Sequence, residues 1–223
     1  MTKSDLYPSF YNPFLIRPTR PIPEEMAVIG SGTIGPDIAY FFRTAFPQKK
    51  LYLVDVIEEP LKKAQARFEG YAKKGVEKKK LRPEQVEPIL ANIVYTTDYD
   101  RLKNCDLVIE AATENLELKK KILTQVESIV GKDAIITSNT SGMTAEMIFS
   151  HLSHPERTTN THFFEPAWRG MGVEVINWER ADKKTVDYLL WFFAQAGKAP
   201  IAAQDVFSFL LNRLFETWGS ETA

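Results

Sequence analysis

The run Gly30-Ser31-Gly32-Thr33-Ile34-Gly35 constrains this chain more than any other six residues. It follows the short apolar stretch Met26–Ile29 and precedes Ile38, Phe41, Phe42 and Ala45, which recur at helical spacing until Pro47. A second apolar run, Lys50–Val54, then ends at Asp55, twenty residues beyond Gly35. Strand, glycine turn, helix, strand and acidic residue in that order predict a βαβ unit. Gly30 permits the tight turn, Gly32 admits a ligand close to the backbone, and Gly35 lets helix and strand pack closely. Pro36 suits the first helical turn, where an N–H has no intrahelical acceptor.

The start of that helix offers unpaired N–H groups and the positive end of its dipole to a pyrophosphate. Thr33 and Ile34 complete the loop expected around it. The Asp55 carboxylate accepts hydrogen bonds from ribose hydroxyls and repels a 2′-phosphate, and Val56 and Ile57 bring no arginine to offset that repulsion. The cofactor these residues predict is NAD.

The alternation continues along the chain. Helical patterns are expected over Pro60–Lys80, Pro83–Leu90, Leu116–Val130, Thr144–His151 and Lys183–Ala196. Strands are expected over Asn92–Thr96, Asp106–Ala111, Ala134–Ser138, Thr159–Phe163, Gly172–Asn177 and Lys198–Ala202. Gly131 takes the position of a helix C-cap. The fold class is α/β, a doubly wound and mostly parallel sheet of Rossmann type. Residues 26–204 form the NAD-binding domain. Residues 1–25, with five of the 13 prolines and the aromatics Phe10, Tyr11 and Phe14, read as an extended arm. From 205 to 223 the apolar run Phe207–Trp218 reads as the first helix of a helical domain that the chain otherwise lacks.

A net charge of −1 argues against nucleic acid or an anionic membrane as partner, and no apolar run is long enough for a membrane span. The single Cys105 excludes an internal disulfide and suits a reducing, cytoplasmic setting. No cluster has metal-ligand spacing. His151 and His154 read as surface loop residues, and Ser138 and Thr140 as turn or cap groups. The basic residues between Lys62 and Arg82 read chiefly as a solvated helix face.

Four further elements follow the glycine loop in order: Glu110-Ala111-Ala112-Thr113-Glu114, Ser138-Asn139-Thr140-Ser141, His162-Phe163-Phe164 with Glu174 twelve residues on, and Leu211-Asn212-Arg213. Together they resemble the L-3-hydroxyacyl-CoA dehydrogenases from Met26 to the C-terminus. The resemblance implies NAD-dependent oxidation of (3S)-3-hydroxyacyl-CoA to 3-ketoacyl-CoA, as in fatty-acid β-oxidation. It implies His162 as general base, Glu174 as its orienting carboxylate, and Ser141 and Asn212 as ligands of the substrate oxygen. Ala111, Glu114, Lys119 and Asn139 fall at its cofactor positions, with Glu114 and Lys119 near the nicotinamide ribose. Lys78 is the expected contact for coenzyme A phosphates. The family's helical domain implies either a homodimer or a partner subunit that supplies helices.

Three departures stand out. Glu165 replaces the asparagine of the family's HFFNP, and an ion pair with Arg169 is expected to offset it and reshape the acyl pocket. Val206-Phe207-Ser208-Phe209 lacks the glycine that the family places between domains, which predicts a stiffer hinge. Most of the helical domain is missing, so NAD binding is expected to survive while turnover by this chain alone is weak. Two other functions fit the same residues: a non-catalytic NAD-binding or interaction module, and a dehydrogenase of a non-CoA hydroxy acid.

Overall fold

The computed structural model describes Pro18 and residues 20–214. Its strands are β1 (Glu25–Ile29), β2 (Lys50–Val54), β3 (Ile93–Thr96), β4 (Leu107–Glu110), β5 (Ile135–Ser138), β6 (Thr158–Phe163), β7 (Gly172–Asn177) and β8 (Ala199–Gln204). They form one sheet in the order β3-β2-β1-β4-β5-β6-β7-β8. Neighbours run parallel, except that β6 and β7 are antiparallel. The helices are α1 (Gly35–Ala45), α2 (Glu58–Glu77), α3 (Val86–Ala91), α4 (Leu116–Ile129), α5 (Ala145–Phe149) and α6 (Lys183–Gln195).

Both faces of the sheet are apolar, and that is why it is wound on both sides. Met26, Val28, Leu51, Leu53, Leu107 and Ile109 point to one face and pack with α1, α2 and α6. Ala27, Ile29, Tyr52, Val54, Val108 and Ile136 alternate with them and pack with α4 and α5. On the first face Phe42 stacks on Phe192 at 5.7 Å between ring centroids, and Phe163 meets Phe193 edge-on at 5.4 Å. Burying each such ring contributes roughly 1.5–3 kcal/mol. Arg43 of α1 is buried as well, and carbonyls surround its guanidinium, including Ile89 O at 2.9 Å and Pro88 O at 2.6 Å.

The strand expectations match the observed strands to within a residue or two, and several local expectations do not hold. Pro83–Gln85 is a 3-10 turn that leads into the shorter α3, and α5 ends at Phe149. Gly131 is not a left-handed cap. α4 ends in the extended residue Val130 (φ −77°, ψ 156°), and the Gly131 carbonyl serves as acceptor for Ala134 N at 2.9 Å.

The expected helix Phe207–Trp218 also differs. Residues 207–210 form a turn, with left-handed φ at Ser208 (61°) and Phe209 (47°), and helical structure starts at Leu211. The turn buries Phe209 against Ile176 and Ala203. The rest of that helix lies outside the described residues, as does most of the expected N-terminal arm. Where that arm is described, Tyr188 donates its hydroxyl to Pro21 O at 2.8 Å.

Candidate active site

β1 and β4 are neighbours although β2 and β3 intervene in sequence. Cofactors of open α/β sheets bind beside the carboxyl ends of strands at such a switch point. Here those ends open into a cleft of about 600 Å³ lined by Gly30, Gly32, Thr33, Ile34, Asp55 and Ala111. Leu118, Lys121, Ile122 and Gln125 of α4 form its opposite wall. Sequence reasoning missed these four, although their spacing of three, one and three residues places them on one helix face.

The cleft fits a dinucleotide. Gly30 has φ 104°, and a Cβ there would stand 2.5 Å from Ala111 O. A Cβ on Gly32 would meet nothing within 4 Å, so this stretch of backbone is open to a phosphate. Asp55 accepts Ser31 N at 2.7 Å and Ile57 N at 3.2 Å, which fixes its carboxylate beside the loop.

A second cavity of about 320 Å³ shares Thr33, Ile34, Ala111 and Ala112 with the first. Glu114, Lys119, Asn139, Ser141, His162, Glu165 and Asn212 also line it. His162 and Glu174 are cross-strand partners on β6 and β7. His162 Nδ1 lies 2.8 Å from Glu174 Oε2, and His162 Nε2 lies 3.2 Å from Ser141 Oγ. An ionised carboxylate can only accept, so Nδ1 carries a hydrogen, and in the neutral ring the lone pair is then on Nε2.

The other oxygen of Glu174 accepts Leu210 N at 3.0 Å and Leu211 N at 2.8 Å. Burial alone would raise the Glu174 carboxyl. The His162 hydrogen bond and those two N–H groups outweigh it and hold the group below the ordinary carboxylate value. The same turn delivers Asn212, whose Nδ2 donates to Ser141 O at 3.2 Å. Ser141, His162, Glu174 and Asn212 therefore close a ring around one corner of the cavity.

The remaining expected residues fall as follows. Asn139 Oδ1 accepts Phe163 N at 2.8 Å and so braces the end of β6. Glu114 accepts Ser141 N at 2.7 Å and Thr140 Oγ1 at 3.0 Å. Lys119 is buried, 2.9 Å from both oxygens of Glu110 and 3.5 Å from Glu114. Lys78 is exposed just after α2 and lines neither cavity. Ser138 donates to Glu110 at 2.5 Å, and Thr140 Oγ1 accepts Met143 N at 3.1 Å. His151 and His154 are exposed.

Two expectations are corrected. Glu165 and Arg169 do not pair, because residues 164–170 lie in a turn where a spacing of four does not bring side chains together. Arg169 instead lies 5.7 Å from the centroid of the Trp168 ring. The basic face of α2 is exposed at its lysines, but Arg67 turns inward. It reaches Asp37 at 2.7 Å and donates to Thr33 O at 3.0 Å.

Residues 25–206 match the family model described as "3-hydroxyacyl-CoA dehydrogenase, NAD binding domain". The chain belongs to that family. Its cofactor is accordingly NAD. The fatty acid oxidation complex subunit alpha of Idiomarina loihiensis is 34% identical over 187 residues, which are 84% of this chain and 26% of that protein. A solved 3-hydroxybutyryl-CoA dehydrogenase from Escherichia coli superposes with a TM-score of 0.86 at 32% identity, over 89% of this chain and 42% of that one. (S)-3-hydroxybutyryl-CoA dehydrogenase PaaH1 from Ralstonia eutropha gives 0.82 at 33% identity, over 86% and 67%. The chain thus spans about a quarter of the length of the curated relatives it matches. Among the described residues no helix is long and apolar enough to cross a membrane.

Proposed function

We propose that this chain carries the cofactor half and the acid–base centre of an enzyme that oxidises (3S)-3-hydroxyacyl-CoA to 3-ketoacyl-CoA. The observation that carries the reading is the His162 imidazole, held by buried Glu174 at 2.8 Å, with Nε2 beside Ser141 Oγ in the cavity. The C3 hydroxyl of the substrate sits against His162 Nε2, with Ser141 Oγ and Asn212 Nδ2 beside it. As the C3 C–H and O–H bonds break and the C=O bond forms, Nε2 takes the hydroxyl proton. Glu174 stabilises the resulting imidazolium. NAD, when bound, supplies the acceptor for the hydride.

The first cavity suits the adenosine and pyrophosphate end of the cofactor, with Gly30, Gly32, Thr33, Ile34 and Asp55 as contacts. The second suits the nicotinamide end, beside Ala111, Glu114, Lys119 and Asn139. The exposed lysines after α2, Lys78 among them, attract the phosphates of coenzyme A. A homodimer or a helical partner subunit is the assembly this reading expects, and the reaction belongs to fatty-acid or related acyl-CoA degradation in the cytoplasm.

The test follows NADH consumption with acetoacetyl-CoA in the chain and in His162→Ala. Turnover that His162→Ala abolishes, with NADH binding retained, is expected. Tight NADH binding without turnover of any hydroxyacyl or ketoacyl substrate would leave a non-catalytic module. Turnover of free acids alone would leave a different dehydrogenase.

A further inference from the structure

Glu110, at the end of β4, is fully buried and lines neither cavity. Its carboxylate nevertheless gathers three segments. Oε1 accepts Ala112 N at 2.7 Å, Oε2 accepts Ser138 Oγ at 2.5 Å, and Lys119 Nζ of α4 lies 2.9 Å from each oxygen. Lys119 is itself 1% exposed, so its ammonium is as desolvated as its partner.

The pair reaches the site at Lys119, which lines the second cavity, and through Glu114. Lys119 Nζ stands 3.5 Å from Glu114 Oε2, close enough to attract it and too far for a good hydrogen bond. That spacing leaves the two oxygens of Glu114 for Ser141 N at 2.7 Å and Thr140 Oγ1 at 3.0 Å. Ser141 then places its Oγ 3.2 Å from His162 Nε2.

We infer that Glu110 is a positioning residue: by anchoring Lys119 it sets where Glu114 lies, and Glu114 sets where Ser141 meets the substrate oxygen. This deepens the proposed function and rests on its reading of Ser141. A buried ammonium that loses its main carboxylate must find another. Glu114 is the acidic group within reach, and drawing it inward takes it from Ser141 N.

The test compares Glu110→Gln, Lys119→Met and the double variant. Glu110→Gln keeps the shape and removes the charge, so it leaves an uncompensated buried ammonium. Lys119→Met leaves the converse, and the double variant leaves neither. A structural role alone predicts that thermal stability, kcat and exchange at Ser141 change alike in the two single variants and recover together in the double.

Positioning predicts a split. In Glu110→Gln, kcat with a 3-hydroxyacyl-CoA falls about tenfold or more. In Lys119→Met, which leaves no ammonium to draw Glu114 inward, Tm falls comparably while Glu114 keeps Ser141 N. A second readout needs no turnover: exchange of the Ser141 amide hydrogen quickens about tenfold in Glu110→Gln and stays at the parent rate in Lys119→Met and the double, while amides of β4 and β5 stay protected.

Exchange at Ser141 that quickens equally in Lys119→Met or in the double variant overturns the inference. So does an unchanged exchange rate at Ser141 in Glu110→Gln. If the unsubstituted chain turns over no hydroxyacyl substrate, the proposed function fails and the Ser141 exchange rate alone decides the positioning role.

Discussion

His162 and Glu174 lie directly opposite one another across the antiparallel step between β6 and β7, with Nδ1 and Oε2 2.8 Å apart. Cross-strand register, rather than a flexible loop, therefore sets the distance between base and carboxylate. Residues on neighbouring strands in register stand about 4.5–5.5 Å apart at Cβ, which suits an imidazole and a carboxylate facing each other.

Replacing Glu174 by glutamine should separate orientation from shape. The amide can donate to Nδ1, which moves the imidazole hydrogen to Nε2 and removes the proton acceptor from the cavity. A loss in kcat of about 10²-fold or more is expected, with little change in NADH affinity. Stability should respond to pH as well. Glu174 titrates below the ordinary 4.5 when folded, so its stabilisation is complete above that value and is lost as pH falls through the folded pKa. The Tm advantage over Glu174→Gln should shrink in acid, and an advantage independent of pH would contradict the assignment.

Much of this was legible in the sequence, for physical reasons that also mark where legibility ends. The switch-point cleft follows from local signals, since Gly30 and Gly35 occupy backbone positions that few other residues tolerate and Asp55 brings its carboxylate to the end of β2. The His162–Glu174 pair needed the antiparallel register, which spacing alone does not reveal. The resemblance put Lys119 at a cofactor position, and nothing in the run Lys119-Lys120-Lys121 announced its burial against Glu110. Yet it precedes Ile122, Leu123 and Val126 by three, four and seven residues, which places it on the buried stripe of α4. The break after Phe207 was not visible in an apolar run. It forms because Glu174 captures the N–H groups of Leu210 and Leu211, an interaction 36 residues or more away in sequence.

The glycines of the loop should fail in different ways. A Cβ on Gly35 would stand 1.9 Å from Gly30 O, so Gly35→Ala should force helix and strand apart and lower Tm. Gly32 has no neighbour within 4 Å of its Cβ position, so Gly32→Ala should leave Tm unchanged and weaken NADH binding by closing the approach to the backbone. Thermal melts with and without NADH distinguish the two. Equal losses of Tm would contradict the packing argument.

Glu165 should govern tolerance of charge in the acyl group. Its exposed carboxylate lines the cavity of His162 and forms no ion pair with a described residue, Arg169 having turned onto Trp168. Two like charges about 5 Å apart near a protein surface repel by about 1–3 kcal/mol. Glu165→Asn should therefore raise kcat/KM about tenfold for a 3-hydroxyacyl-CoA ending in a carboxylate, relative to 3-hydroxybutanoyl-CoA. An unchanged ratio of the two specificity constants would remove Glu165 from substrate selection.

The turn before Asn212 carries strain that one substitution can relieve. Ser208 holds φ at 61°, a left-handed conformation that costs a residue with a Cβ roughly 1 kcal/mol more than glycine. Ser208→Gly should recover up to that amount, less the added entropy of the unfolded chain. Denaturant midpoints measure the balance, and a clear loss would mean that the serine side chain contributes more than its backbone costs.

Lys198 offers the sharpest pH signature. Only 6% exposed, it donates from Nζ to Ala167 O at 2.6 Å and to Gly170 O, and it lies 4.2 Å from the centroid of the Phe41 ring. It thereby anchors the connection between β6 and β7 that carries Phe164 and Glu165. Burial pulls its pKa from the ordinary 10.5 down to about 8, with Asp37 opposing the shift. Between those values the unfolded chain holds a proton that the folded chain has released. Folding stability from this group therefore rises with pH through that window, is complete above 10.5, and is lost as pH falls through about 8. The neutral amine can still donate to both carbonyls, so the anchor survives deprotonation. Relative to Lys198→Met, which titrates nothing, the unfolding free energy of the unsubstituted chain should climb across the window. A difference that stays flat or falls would place the Lys198 ammonium in contact with water instead of the two carbonyls and the Phe41 ring.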